Sequence, residues 1–236
     1  MDADISQYYE RCYDDANYSG LNGRFHAFYH AAIERPFGPA THFGQVIEVG
    51  CARAHHLPFV RHRFDRYLMT DLHPNEPQLD EVILRWQGPG VLGYERQDAS
   101  AIDHPDNTFD RLISTCVLHH LDDPDAALAE WFRVVRPGGE ISIYLPYDPG
   151  MAYRWVRWCT THRVQRRLER RGQLEDHLYM WAREHRNHVL ALKQLIRHHA
   201  AGHQTASRRY PFPLLTWNAN LYEILHITVG PGSPTR

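Results

Sequence analysis

Three acidic residues and one pair of histidines, each placed at or just beyond a run of strand-forming residues, set the chemistry open to this chain. Glu48 and Gly50 lie in Q-V-I-E-V-G-C-A-R-A (45–54), where the apolar run Val46 to Val49 reads as a buried strand. The strand enters a tight turn at Gly50 and then a helix beginning near Arg53. An acid inside an apolar run needs a polar partner or a wet strand end, because burying an unpaired carboxylate is costly. A turn this sharp leaves amide groups facing outward at the strand's carboxyl end, the place where open α/β sheets bind ligands. Asp71 follows 21 residues after Gly50. That interval suits one strand–helix unit placing a carboxylate at the next strand's carboxyl end, within reach of vicinal ribose hydroxyls. Asp98 stands just past a third strand-forming run and could accept from an adenine amino group, with Ala99 packing nearby. His119 and His120 follow a fourth such run and are the imidazoles best placed to remove a proton.

These residues need elements to hold them, and the chain supplies strands and helices in alternation. An aromatic-rich segment with Tyr9, Tyr13 and Tyr18 precedes a predicted helix over Asn22 to Glu34, ended by Pro36 and Gly38. After the first strand come a short helix over Arg53 to His62, a strand over Phe64 to Met69, a helix over Pro77 to Trp86 and a strand over Val91 to Arg96. F-D-R-L-I-S-T-C gives a fourth strand ending near Thr115 or Cys116, and a helix capped by Asp122 or Asp123 starts at Pro124. Pro137-Gly138-Gly139 stops that helix and leads to a fifth strand over Glu140 to Leu145. Strand and helix alternating five times define a mainly parallel sheet covered on both faces. Helical material then runs from Ala152 to Arg171 and, after Gly172, from about Glu175 to Ala201. Two strands, Gln204 to Tyr210 and Leu221 to Val229, close the chain as a hairpin with one strand antiparallel.

Composition narrows the classes. The 236 residues suffice for one substantial α/β domain. A formal charge of -2 argues against nucleic acid as partner, and the basic run 163–171 is confined to one helix. The four cysteines form no C-x-x-C pair, so neither a disulfide framework nor a zinc ribbon is expected. No stretch approaches 18 apolar residues, and the first residues lack a basic-then-apolar leader pattern. The expectation is a soluble, cytoplasmic protein without integral membrane contact, acting as monomer or homodimer. Among the 18 histidines, His55-His56, His119-His120 and His198-His199 are sequence neighbours. Neighbours on a helix do not share a face, so no metal site is expected.

Taken together, E-V-G-C-A-R-A, the acids Asp71 and Asp98, and H-H-L-D-D-P followed by R-V-V-R-P-G-G resemble the class I S-adenosylmethionine-dependent methyltransferases, in particular the small-molecule enzymes. The resemblance covers about residues 43 to 146. It implies a Rossmann-like fold with a mainly parallel seven-stranded sheet, an antiparallel C-terminal strand and a helical insertion between strands five and six. The implied organisation is a cap over 1–44, a cofactor core over 45–146, an acceptor-binding insertion over 147–203 and completing strands over 204–236. Of the family's glycines only Gly50 remains, with Ala52 and Ala54 in the other places. Pyrophosphate binding draws on successive glycines, so this turn suits a dinucleotide less than S-adenosylmethionine.

The resemblance further implies that Gly50 and Ala52, with Glu48 and Cys51 beside them, line the methionine portion of S-adenosyl-L-methionine. Asp71, with Leu72, would hold the ribose, Asp98 and Ala99 would flank the adenine, and Thr115 or Cys116 would lie beneath the sulfonium. His119 and His120 would stand beside the acceptor as catalytic imidazoles. The acceptor pocket would draw on Tyr9, Tyr13, Tyr18, Tyr147, Arg154, His185, Arg186 and His188. Positions 185 and 188 on one helix face could converge on an anion. The expected activity is O- or N-methylation of a polar small molecule such as a saccharide or a phosphorylated or carboxylated metabolite, in natural-product or surface-glycan biosynthesis. The competing readings are a non-catalytic protein keeping this fold and an NAD-dependent oxidoreductase.

Overall fold

The computed structural model describes residues 20–231. Its centre is a seven-stranded sheet in the order β3-β2-β1-β4-β5-β7-β6. The strands are β1 (His42–Val49), β2 (Arg63–Asp71), β3 (Val91–Arg96), β4 (Phe109–Ser114), β5 (Val135–Pro146), β6 (Gln204–Tyr210) and β7 (Tyr222–Thr228). The first five pair in parallel, whereas β7 runs antiparallel to both β5 and β6 and separates them.

Period-two alternation within the strands builds a core on each face, since successive side chains of a strand point to opposite sides. Ile47, Leu68, Leu112, Ile143 and Leu225 point to one face and pack beneath α3 (Pro124–Val134) and α6 (Val189–His199). Their neighbours Val46, Tyr67, Ile113, Tyr144 and Ile224 point to the other, beneath α1 (Gly20–Ile33) and α2 (Glu76–Arg85). Such two-sided burial explains why the strands read as near-continuous apolar runs. α3 begins as its sequence dictates: Asp123 accepts from the Ala126 amide, Pro124 fills the first turn, and Ala127, Leu128 and Trp131 are buried along one side.

Beneath the sheet a buried polar network fastens α1 to the central strands. Glu34, fully buried, accepts from both terminal nitrogens of Arg111 on β4 at 3.0 and 2.7 Å and is 3.0 Å from His56 Nε2. The Arg111 guanidinium also lies over the Phe37 ring, 4.0 Å from its centroid. Burial alone would raise the Glu34 pKa, but the Arg111 charge and the hydrogen bonds from His56 and Arg111 outweigh it and hold the carboxyl well below its usual range.

Two connections differ from the expected ones. No α-helix joins β1 to β2; the link is a turn with Ala52 and Ala54 at φ of 48° and 60°, then a 3-10 turn over Leu57–Phe59. Left-handed residues interrupt helical hydrogen bonding, Pro58 removes an amide, and His56 and His62 are drawn inward toward Glu34. The β3–β4 link is made of turns, as the turn-forming residues 103–107 imply, so α2 and α3 are the helices of the parallel crossovers. The expected long helix after Gly172 divides into α5 (Leu174–Glu184) and α6, following α4 (Met151–Arg170). E-H-R-N-H is thus a link between helices, where Arg186 and Asn187 amides donate to the His119 carbonyl at 3.1 and 3.2 Å.

Candidate cofactor and acceptor site

A cleft of about 990 Å³ opens at the carboxyl ends of β1, β2, β3 and β4. It lies where the chain leaves β1 for the sheet edge on one side and β4 on the other, the reversal point at which such sheets hold ligands. Glu48, Gly50, Cys51, Ala52, Asp71, Leu72, Asp98, Ala99, Thr115 and Cys116 all line it, together with His120 and Arg186.

The turn after β1 is built from the inside. Gly50 and Cys51 both donate their amides to the Thr70 carbonyl, at 2.8 and 2.9 Å, and the Ala54 amide donates to the Cys51 carbonyl at 2.8 Å. The Ala52 amide donates to Asp71 Oδ2 at 3.0 Å. These amides face the protein, not the ligand, which corrects the expectation of outward N–H groups. A phosphate cradle needs such groups, so its absence at this turn adds to the loss of glycines against a dinucleotide. Gly50 itself has a φ of 73°. A Cβ there would lie 2.3 Å from Val117 Cγ2, so the glycine lets the β4–α3 loop close onto the turn.

Glu48 finds its polar partner in Tyr67, whose hydroxyl donates to it at 2.8 Å. Burial pushes the Glu48 carboxyl above its ordinary pKa, only partly offset by His56 and that hydrogen bond. Asp71 Oδ1 accepts from the His73 amide at 2.9 Å, so both its oxygens are oriented by backbone donors. Asp98 Oδ1 accepts from the Ser100 amide and hydroxyl at 2.8 and 2.7 Å, which fixes its carboxylate at the cleft wall. Cys116, with a φ of 59°, lies 3.4 Å from the Tyr29 hydroxyl of α1, and burial pushes its thiol up to about 12.

The remaining sequence-predicted residues occupy different surroundings. His119 is buried next to His120 and is not part of the cleft wall. Burial, then the neighbouring His120 and His185, depresses its pKa well below the ordinary value, so its ring is neutral. The His185 ring centroid lies 4.9 Å from those of both. Arg186 pairs with Asp122 at the cleft. Tyr147 is fully buried and donates to Glu223 Oε2 at 2.8 Å, and His188 Nδ1 accepts from the Ala191 amide at the start of α6. Arg154 lies exposed on α4. Tyr9, Tyr13 and Tyr18 lie outside the described residues. Sequence reading passed over Arg53, His56 and Arg96 in the cleft wall, and Val117 against Gly50. Arg96 ends the third strand and Arg53 stands in the turn after the first, a positional signal; the His56 and Val117 contacts are to residues distant in sequence and leave none.

This sheet order, cleft and pair of strand-end acids define a class I S-adenosylmethionine-dependent methyltransferase fold. The methyltransferase domain model matches residues 47–143, about two-fifths of the chain. A ubiquinone/menaquinone biosynthesis C-methyltransferase of Pasteurella multocida is 41% identical over 77 residues, 32% of this chain and 29% of that protein. A phosphatidylethanolamine N-methyltransferase of Cereibacter sphaeroides is 29% identical over 100 residues, 42% of this chain and 49% of that protein. The match thus spans less than half the length of these relatives. The N-methyltransferase NodS of Bradyrhizobium japonicum, solved with S-adenosyl-L-homocysteine, superposes with a TM-score of 0.61 over 96% of this chain and 98% of its own, at 14% identity, a likeness of fold.

Proposed function

We propose that this protein transfers a methyl group from S-adenosyl-L-methionine to an oxygen or nitrogen of a polar small molecule. The observation that carries this reading is the joint presence of Glu48, Gly50, Asp71, Asp98 and Thr115 along one cleft at four strand ends. Asp71 would accept from the ribose hydroxyls, Asp98 and Ala99 would flank the adenine, and Gly50, Cys51 and Ala52 would line the methionine portion. Thr115 and Cys116 would lie beneath the sulfonium. Such a cofactor supplies an electrophilic methyl group whose transfer demands alignment with the acceptor's lone pair, and positioning provides much of the acceleration.

Arg53, Arg96 and Arg186 along the cleft favour an anionic or polyhydroxylated acceptor, such as a saccharide or a phosphorylated or carboxylated metabolite. His120, at the cleft wall, would take the proton of an acceptor hydroxyl or ammonium, with His119 and Arg186 positioning the loop around it. Soluble activity in the cytoplasm fits the described residues, among which no helix is long and apolar enough to cross a membrane.

Calorimetric titration with S-adenosylhomocysteine and with NAD, followed by transfer of labelled methyl to panels of phosphorylated, carboxylated and sugar acceptors, tests the reading. Saturable binding of the first without the second, and label on one acceptor class, is the expected result. Absence of S-adenosylhomocysteine binding by the folded protein would overturn the proposal.

A further inference from the structure

His119 and His120 sit on a turn, not on a helix, so their adjacency in sequence does not separate them. Their ring centroids are 3.9 Å apart, and the link between α5 and α6 brings His185 against both. One nitrogen from each of the three lies within 4.8 Å of the other two. Ligands about 2.0–2.1 Å from a tetrahedral zinc ion are separated by roughly 3.3 Å, so a shift of about 1 Å per ring closes the set.

Two further observations point to a ligand here. His119 Nδ1 is buried with no hydrogen-bond partner, a costly state for an imidazole nitrogen in a packed interior. His185 Nδ1 lies 3.2 Å from Asp148 Oδ2, which leaves Nε2 as its remaining nitrogen. A carboxylate behind one ring nitrogen is the arrangement that orients metal-bound histidines and raises their basicity.

We propose that His119, His120 and His185 form a binding site for a divalent transition-metal ion of the zinc class, supported by Asp148, behind the cofactor cleft that His120 lines. Three imidazole ligands suit zinc, cobalt, nickel or copper better than magnesium or calcium, which take oxygen ligands. Three protein ligands leave a fourth position for water or for an oxygen of the acceptor. This last point rests on the methyltransferase reading; metal binding does not. An imidazole nitrogen that ligates an ion cannot also take a proton. With the site loaded, His120 would hold the ion and would not serve as proton acceptor, a role left to the chelator-stripped form.

The test uses full-length protein stripped with a chelator and titrated calorimetrically with Zn²⁺, and spectroscopically with Co²⁺, whose visible d–d bands report a tetrahedral nitrogen-ligated site. The expected result is a single saturable equivalent. His185→Ala and His120→Ala, verified as folded by circular dichroism, should weaken binding by more than about 100-fold. Asp148→Asn should weaken it by ~10–100-fold, as for loss of a supporting hydrogen bond. The paired variant His198→Ala/His199→Ala, which removes adjacent histidines of α6 away from the cluster, should bind as wild type. No saturable equivalent in wild type, or unchanged affinity in folded His185→Ala, overturns the proposal. Neither readout involves S-adenosylmethionine or methyl transfer, so this failure is distinct from failure of the function proposed above.

Discussion

Gly50→Ala tests whether the turn after β1 and the loop after β4 are one mechanical unit. The added Cβ would lie 2.3 Å from Val117 Cγ2 at a backbone φ of 73°. The left-handed conformation costs an alanine about 1–2 kcal/mol. The overlap is more than about 1 Å inside ordinary carbon contact, and moving a stiff β-branched side chain out of it costs a further ~1–3 kcal/mol. The variant should therefore lose about 2–5 kcal/mol. Val117→Ala removes the offending methyl, so the double variant should recover the overlap part and leave the backbone part. Urea unfolding of the wild type, the two single variants and the double variant gives that coupling, expected at about 1–3 kcal/mol. S-adenosylhomocysteine titration of the same four proteins reads the cleft, with binding lost in Gly50→Ala and partly restored in the double variant. Additive costs, with coupling below about 0.5 kcal/mol, would show that turn and loop do not press on each other and would refute the argument.

Other consequences can be measured independently. Arg111→Met leaves Glu34 buried without its main cationic partner and should cost about 3–5 kcal/mol in urea unfolding, whereas replacing both Glu34 and Arg111 with apolar residues should cost much less. Asp71→Asn should weaken S-adenosylhomocysteine roughly 10–100-fold in calorimetry, the loss appropriate to hydrogen bonds with a charged group. Acid should destabilise the fold from near neutral pH downward. Burial holds His30 at about 2 and His62 and His226 at about 4. The unfolded chain therefore takes up protons first, and stability present above about 6.5 is lost as pH falls toward those values. Each such histidine contributes a slope of about 1.4 kcal/mol per pH unit. Depressed Glu34 acts in the same direction below its unfolded pKa, while raised Glu48 and Glu140 oppose it. A urea midpoint that stays level or rises between pH 7 and pH 5 would contradict the balance.

The sheet was readable from sequence because β1, β2, β4 and β5 hold short apolar runs bounded by turn residues, and the cofactor wall because its residues lie at or just past the ends of strands. The β1–β2 helix was misread for a local reason: A-R-A-H-H-L has helical composition, and only the pull of His56 and His62 toward Glu34 and the left-handed alanines reveal a turn. E-H-R-N-H was misread as helix because its fixing contact is to the His119 carbonyl, more than sixty residues earlier in the chain. The same long-range contact assembles the histidine cluster, which neighbour spacing had argued against. Tyr147, predicted to face an acceptor, instead donates to Glu223 of β7, a partner that local pattern cannot indicate.

The placement of β7 between β5 and β6 bears on how the chain is made. During synthesis β5 emerges with its outer edge unpaired, and it stays so while all of α4, α5, α6 and β6 are produced. Both faces of β5 are buried in the finished protein, so this waiting edge is an apolar template for pairing with another chain. Its antiparallel partner β7 appears only after all of these. A stop codon before Tyr222 would therefore remove more than a peripheral strand: it would expose the central layer of the sheet and leave Tyr147 and Lys193 without Glu223.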